Sequence, residues 1–260
     1  MRIRYQLLSS ETAMAAFLAA VGDHCADTAG PSVAFDVRGT DHGAFGSEFA
    51  VFAHYDLRAV VDLGLTIRTT GGYDAVVMAN SLDTGIVELR EILDIPVVSL
   101  LETACFWACT LGMRFALVVP HPKMAPRYRR CVEGYGLAAR LAGIEAIAED
   151  DLSDLDAAFA DRARGDAQTA ACLAACRRGI EAGADVVIPA GPHAMLLAQR
   201  GLFALGPVPL LDGYGLAAKI AETAVGIHRR TGVCVSRSGL YRGPSDATVA
   251  RILAARDLSV

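Results

Sequence analysis

A chain of 260 residues can bury one large core or two modest ones, and 53% hydrophobic with 20% charged residues is the balance of a soluble globular protein. A formal charge of −5 with no long basic run argues against nucleic acid as the main partner, and no apolar run reaches the ~20 residues that span a bilayer. The seven Cys, at 25, 105, 109, 131, 172, 176 and 234, are odd in number and scattered through apolar context, which suits reduced core thiols of a cytoplasmic protein and not a disulfide framework.

Arg2 and Arg4 ahead of the apolar run 13–21 faintly resemble a secretion signal. Glu11 interrupts that signal-like stretch ahead of the run, and residues 2–8 followed by Ser9, Ser10 and Glu11 read better as a strand, a cap and a helix start. In chain order, short apolar segments predict strands at 2–8, 32–37, 75–78, 95–100, 114–119, 143–148, 185–188 and 208–211. Helical patterns fall between most of them, at 10–21, 47–63, 83–93, 103–111, 125–135, 166–182, 193–202 and 214–229. Strands alternating with helices predict an α/β fold with parallel sheets covered on both faces.

Helix 83–93 illustrates the pattern: Ile86, Leu89 and Leu93 share one face, Glu88, Arg90 and Glu91 lie off it, and Asp83 is placed to cap it. Cys105 and Cys109 are one helical turn apart, as are Cys172 and Cys176; with no His or second Cys pair beside either, core packing is the preferred reading over metal ligation. A first lobe is expected to comprise residues 1–101 with the returning segment 213–260, and a second lobe residues 102–212. No low-complexity linker separates them, so a substantial shared interface is expected.

Two stretches have the same form. YDAVVMANSLDTGIVEL (73–89) reads strand, polar turn, helix, and GADVVIPAGPHAMLLAQ (183–199) reads strand, glycine turn, helix opening at His193. Turns at strand carboxyl ends are where α/β proteins hold polar or anionic ligands, so the two turns are expected to face one cleft.

The blocks VVMANSLDTGIVELREILDIPVVSLLETA (76–104), LGMRFALVV (111–119), EAGADVVIPAGPHAMLL (181–197), PLLDGYGLAAKIAETAVG (209–226) and SRSGLY (236–241) resemble the aspartate/glutamate/hydantoin racemase superfamily, its hydantoin racemase branch above all. The resemblance implies a pseudo-symmetric pair of doubly wound α/β lobes with the active site between them, and homo-oligomers. It also implies a two-cysteine mechanism, in which one thiolate removes the proton α to a carbonyl and the opposite thiol returns one. This chain departs there. The first family cysteine aligns with Asn80 or Ala79, the second with Ala190 or Gly191, and the Asn-Pro-Asn-type turn of hydantoin racemases is replaced by Leu7-Leu8-Ser9.

A general base must then come from elsewhere. His193 is the first choice for acid/base work, because imidazole titrates nearest neutrality and follows a strand end; the structural alternative is a helix-start His bonded to a neighbouring carbonyl. Asp83 and Glu102 are the carboxylate candidates, although capping and the helix dipole account for both without catalysis. Asn80 and Ser81, with Gly191 and Pro192 after the second strand, are expected to hold a carbonyl or carboxylate. His54 in the AHYD run is a further substrate-binding candidate, and His42 lies in a glycine-rich loop (GTDHGAFGSEF) with the character of a lid or a merely flexible segment.

No cofactor is expected; an alternative brings His193, His54, Asp83 and Glu102 together on Zn²⁺ or Mn²⁺, which no ligand spacing in the chain supports. The leading reading is an enzyme acting on a small cyclic ureide such as a hydantoin, or a related carboxylate, by hydrolysis, elimination or isomerisation without the two cysteines. The alternatives are a racemase or epimerase with substituted acid/base residues, and a non-catalytic protein that binds a small ligand.

Overall fold

The computed structural model describes residues 1–41, 43, 46–147 and 155–258. The chain is α/β, with two parallel sheets. β1 (Arg2–Ser10), β2 (Ala34–Thr40), β3 (Ala75–Met78) and β4 (Val97–Ser99) form the first, in the order β2-β1-β3-β4. β5 (Phe115–Val119), β6 (Leu141–Ala146) and β7 (Val186–Pro189) form the second, in the order β6-β5-β7. A short antiparallel hairpin of β8 (Ala204–Leu205) and β9 (Val208–Pro209) follows, after which Leu210 makes a parallel bridge to Val187.

The helices are α1 (Ala15–Thr28), α2 (Ala53–Thr70), α3 (Ile86–Ile92), α4 (Leu100–Leu111), α5 (Ala125–Gly134), α6 (Ala157–Ala160), α7 (Arg162–Glu181), α8 (Pro192–Gln199), α9 (Gly213–Thr231) and α10 (Asp246–Ala255). None among the described residues is long and apolar enough to cross a membrane.

Continuous apolar strands follow from burial on both faces. Val77 packs with Tyr5, Phe17 and Tyr214 beneath α1 and α9, whereas its neighbours Val76 and Met78 pack with Val60 and Leu89 on the α2–α3 side. The second sheet repeats the alternation: Leu117 and Val119 face Cys105 and Tyr128, and Val118 faces Cys172 and Cys176. All seven cysteines are free; Cys25, Cys105, Cys172 and Cys176 are buried.

Local chemistry moves several predicted boundaries. Ser10 still pairs with Thr40, so β1 outlasts its expected end and α1 begins five residues after Ser10. The segment from Ser47 to Phe52 is turns, and α2 starts at Ala53. Asp83 does not cap its own helix. Gly85 stands at that N-cap with φ 79°, where an added Cβ would lie 2.3 Å from Val60 Cγ1, so only glycine fits both the backbone and the packing. Helix α10 was not expected; the Ser245 hydroxyl caps it by accepting from the Thr248 N–H at 3.2 Å.

Helix α9 packs on α1 and α4 and against β3 and β4. Its N-cap is Asp212, whose Oδ1 accepts from the Gly215 N–H (3.0 Å) while Oδ2 meets His24 Nε2 of α1 at 2.7 Å. The bond to Asp212 raises the His24 imidazole against the opposing effect of burial. A raised imidazole contributes stability that is complete below the unfolded value of ~6.5 and is lost as pH climbs through the folded one. Urea midpoints are therefore expected to fall from about pH 6 upward, and His24→Gln to flatten that slope; an unchanged slope in the variant would refute the linkage.

Candidate functional site

The carboxyl ends of β1, β3, β5 and β7 surround a cavity of about 140 Å³. Both turns singled out in the sequence reach it: Asn80 and Ser81 follow β3, Gly191 and Pro192 follow β7, and all four line the wall. Leu7, Leu8 and Ser9 at the end of β1 line it as well. Within each sheet the parallel strands deliver their following turns to one end, and those ends of the two sheets meet at the cavity, so stretches more than a hundred residues apart share a pocket.

The β3 turn is built by its own polar side chains. Asn80 Oδ1 accepts from the Leu82 N–H at 3.0 Å and from the Thr84 hydroxyl at 3.3 Å, which leaves the amide NH₂ as the donor at the cavity wall. Ser81 Oγ and the Tyr128 hydroxyl of α5 are 2.8 Å apart, joining the first sheet's turn to a helix of the second. Burial pushes the Tyr128 phenol well above its ordinary value, so it keeps its proton, and either hydroxyl of the pair can donate.

Three charged side chains line the cavity that sequence reasoning passed over: Glu48, Asp56 and Arg127. Asp56 lies in the first turn of α2, and Glu48 in the turns ahead of it. Arg127 projects from α5 and donates from Nη1 to the Ser47 carbonyl at 2.6 Å, holding the segment that carries Glu48. The wall between is apolar, with Met14, Phe17, Leu155 and Tyr214. Asp56 was within reach of the sequence reading, since it sits two residues from His54 and a helix turns about 100° per residue. Nothing local marked Arg127 or Glu48, which become neighbours only through the fold.

Four candidates lie off the cavity wall. His193 is fully buried beside its strand end, with Nε2 3.1 Å from Gln168 Oε1, and it is not among the residues lining the cavity. Pro192 takes the wall position in the first turn of α8, and the next residue is rotated into the interior. His54 is exposed and off the wall, because the helical rotation that brings Asp56 inward carries it away.

Asp83 is buried, in left-handed backbone conformation with φ 51°. Its carboxylate accepts from the Leu101 N–H (3.1 Å), the Glu102 N–H (3.0 Å), the Tyr135 hydroxyl (2.5 Å) and the Ser99 hydroxyl, so it serves α4 and not its own helix. Burial raises this carboxyl against the pull of those donors. Glu102, in the first turn of α4, is paired with Arg90 and lies off the cavity. His42 lies outside the described residues. Among the described residues no three His, Cys, Asp or Glu side chains are grouped as a metal site requires, so His193, His54, Asp83 and Glu102 do not converge.

No cysteine lines the cavity. Burial pushes the Cys25 thiol up to about 12 and raises Cys105 further, so neither supplies a thiolate near neutral pH.

A family model described as Asp/Glu/Hydantoin racemase matches residues 8–221. A hydantoin racemase from Pseudomonas sp. (strain NS671) is 28% identical over 176 residues, which cover 62% of this chain and 61% of that protein; the matched stretch is thus under two thirds of the relative's length. Among solved structures, an allantoin racemase from Pseudomonas fluorescens superposes with a TM-score of 0.75 at 22% identity, covering 94% of this chain and 97% of that one. An allantoin racemase from Klebsiella pneumoniae gives a TM-score of 0.70 at 22% identity, covering 95% and 94%. At that identity the likeness concerns the fold.

With its imidazole packed inside, His193→Ala is expected to cost about 1–3 kcal/mol of stability, read by urea unfolding, while the folded fraction keeps its ligand affinity and turnover. A variant as stable as the wild type but inactive would return the imidazole to the site.

Proposed function

Because the chain belongs to the Asp/Glu/hydantoin racemase family, we propose that it is an enzyme that binds a small cyclic ureide of the hydantoin type, or a related carboxylate, in this cavity and moves protons with carboxylates in place of thiols. The names of the relatives support the substrate class, since hydantoin and allantoin share the cyclic ureide ring. The composition of the cavity wall carries the rest: Glu48 and Asp56 are its acids, and the residues aligned with the family cysteines, Asn80 or Ala79 and Ala190 or Gly191, carry no thiol.

The two acids come from one side, the chain between β2 and α2 and the first turn of α2. At the end of β7 the wall is Gly191 and Pro192, neither of which holds a transferable proton. Racemisation by two bases needs a proton carrier on each face of the substrate carbon. An arrangement with carboxylates on one face favours hydrolysis, elimination or isomerisation. In hydrolysis, Glu48 or Asp56 takes the proton of a water that attacks a ring carbonyl, and the same group returns a proton to the departing ring nitrogen. The Asn80 amide and the Ser81–Tyr128 hydroxyl pair supply hydrogen bonds to the oxygen on which charge develops.

The experiment is incubation of the protein with 5-substituted hydantoins in D₂O, followed by proton NMR and chiral chromatography. Ring opening, elimination or double-bond migration is expected, unaffected by thiol alkylation, with kcat lowered about 10²- to 10⁴-fold in Glu48→Gln or Asp56→Asn. α-Deuteration with inversion and no other product would replace this reading with racemisation by substituted groups. A ligand-induced rise in Tm with no chemical change would make the protein a binder, and full activity in both variants would remove the carboxylates from the mechanism.

A further inference from the structure

We propose that Arg127 is an anion receptor within the cavity, and that the ligand it selects is an open-chain α-ureido or α-amino acid bearing a carboxylate, in preference to the neutral ring. The inference rests on the reading of the cavity as a ureide or carboxylate site and narrows it to one ligand charge type.

Among the described residues that line the cavity Arg127 is the only Lys or Arg, and it is half-buried. A guanidinium carries five N–H donors in a rigid fork. Among the described residues one of them is used, Nη1 to the Ser47 carbonyl at 2.6 Å, and Arg127 has no carboxylate partner there. Of the arginines elsewhere in the fold, Arg90, Arg68, Arg178 and Arg200 are neutralised by Glu102, Asp246, Glu145 and Asp166, and the half-buried Arg140 spends its donors on the Cys109, Gly112 and Met113 carbonyls. A half-buried cation at a cavity wall with most of its donors unassigned is matched by a carboxylate, which accepts two parallel bonds from the fork. A neutral cyclic ureide offers only single carbonyl acceptors and leaves the charge uncompensated.

The rest of the wall calls for the complementary half of the same molecule. Glu48 and Asp56, which line the same cavity, are acceptors for N–H groups. An α-nitrogen, free or carrying a carbamoyl group, presents such N–H donors next to the carboxylate on one carbon. Met14, Phe17 and Leu155 then face a hydrocarbon side chain. An α-ureido acid is the product of adding water across one ring bond of a hydantoin, so the pattern places this site beside the ring-opening step, as its product side or as a consumer of that product.

The test is isothermal titration calorimetry with four ligands sharing one side chain: N-carbamoylvaline, its carboxamide, valine, and 5-isopropylhydantoin. The wild type is expected to bind N-carbamoylvaline or valine about 10- to 100-fold more tightly than the carboxamide or the hydantoin, with affinity falling as salt rises. Arg127→Met is expected to erase the preference for the acid over its carboxamide, and Arg127→Lys to restore part of it.

The comparison of acid with carboxamide needs no variant, so it stands even if Arg127→Met loosens the segment held through Ser47. Equal affinity for acid and carboxamide, or binding of the hydantoin alone, would overturn the anion receptor and leave the ureide-site reading intact. Failure of all four ligands to bind would overturn both.

Discussion

The carboxylate of Asp83 is the contact on which the site depends. It stands in a left-handed turn after β3 and accepts hydrogen bonds from the first turn of α4, from Ser99 and from Tyr135 just beyond α5. One buried side chain thereby ties the Asn80–Ser81 corner to the two helices that begin the second sheet's half of the chain. The Ser81–Tyr128 bond sits on that frame, and so does the approach of Arg127 to Ser47. Burial works against ionisation of the group, and four donors work for it, so the tie is strong only while all of its partners are in place.

Around this frame the cavity divides by chemistry. Acids from the first sheet's side, a guanidinium and a phenol from α5, and a glycine-proline corner from β7 give it an uneven distribution of charged and polar groups. The family's reactions are known through relatives named as racemases, and the fold that carries them is present here nearly whole. At the strand ends that line the cavity this chain carries the amide of Asn80 and the small residues Ala79 and Gly191. A fold of this kind presents whatever its turns carry, so its chemistry changes without any change in the sheets.

Most elements were legible in the sequence because continuous apolar strands and amphipathic helices have periods that local sequence alone displays. β3 was read to the residue, and α5 and α9 to within two residues at each end. The errors fell where a distant partner decides the backbone. Ser10 looked like a cap until Thr40 extended the strand beside it, and the turns at Ser47 take a bond from Arg127 that no local pattern announces. Asp83 had the right residue type for a cap but the wrong helix, since its partners lie more than fifteen residues further on.

By itself the sequence determined the α/β alternation, the two strand-end turns and the absence of thiols from them, because each is a property of residues adjacent in the chain. Which side chains look into the shared cavity was decided only by tertiary structure. His193 and Pro192 are neighbours, yet one is sealed in the core and the other is part of the wall. Glu48, Asp56 and Arg127 are far apart or unremarkable in sequence, yet they line one space. A helix rotates about 100° at each residue, so a step of one position is enough to exchange solvent for core, and only the packing of every element fixes which way each helix is turned.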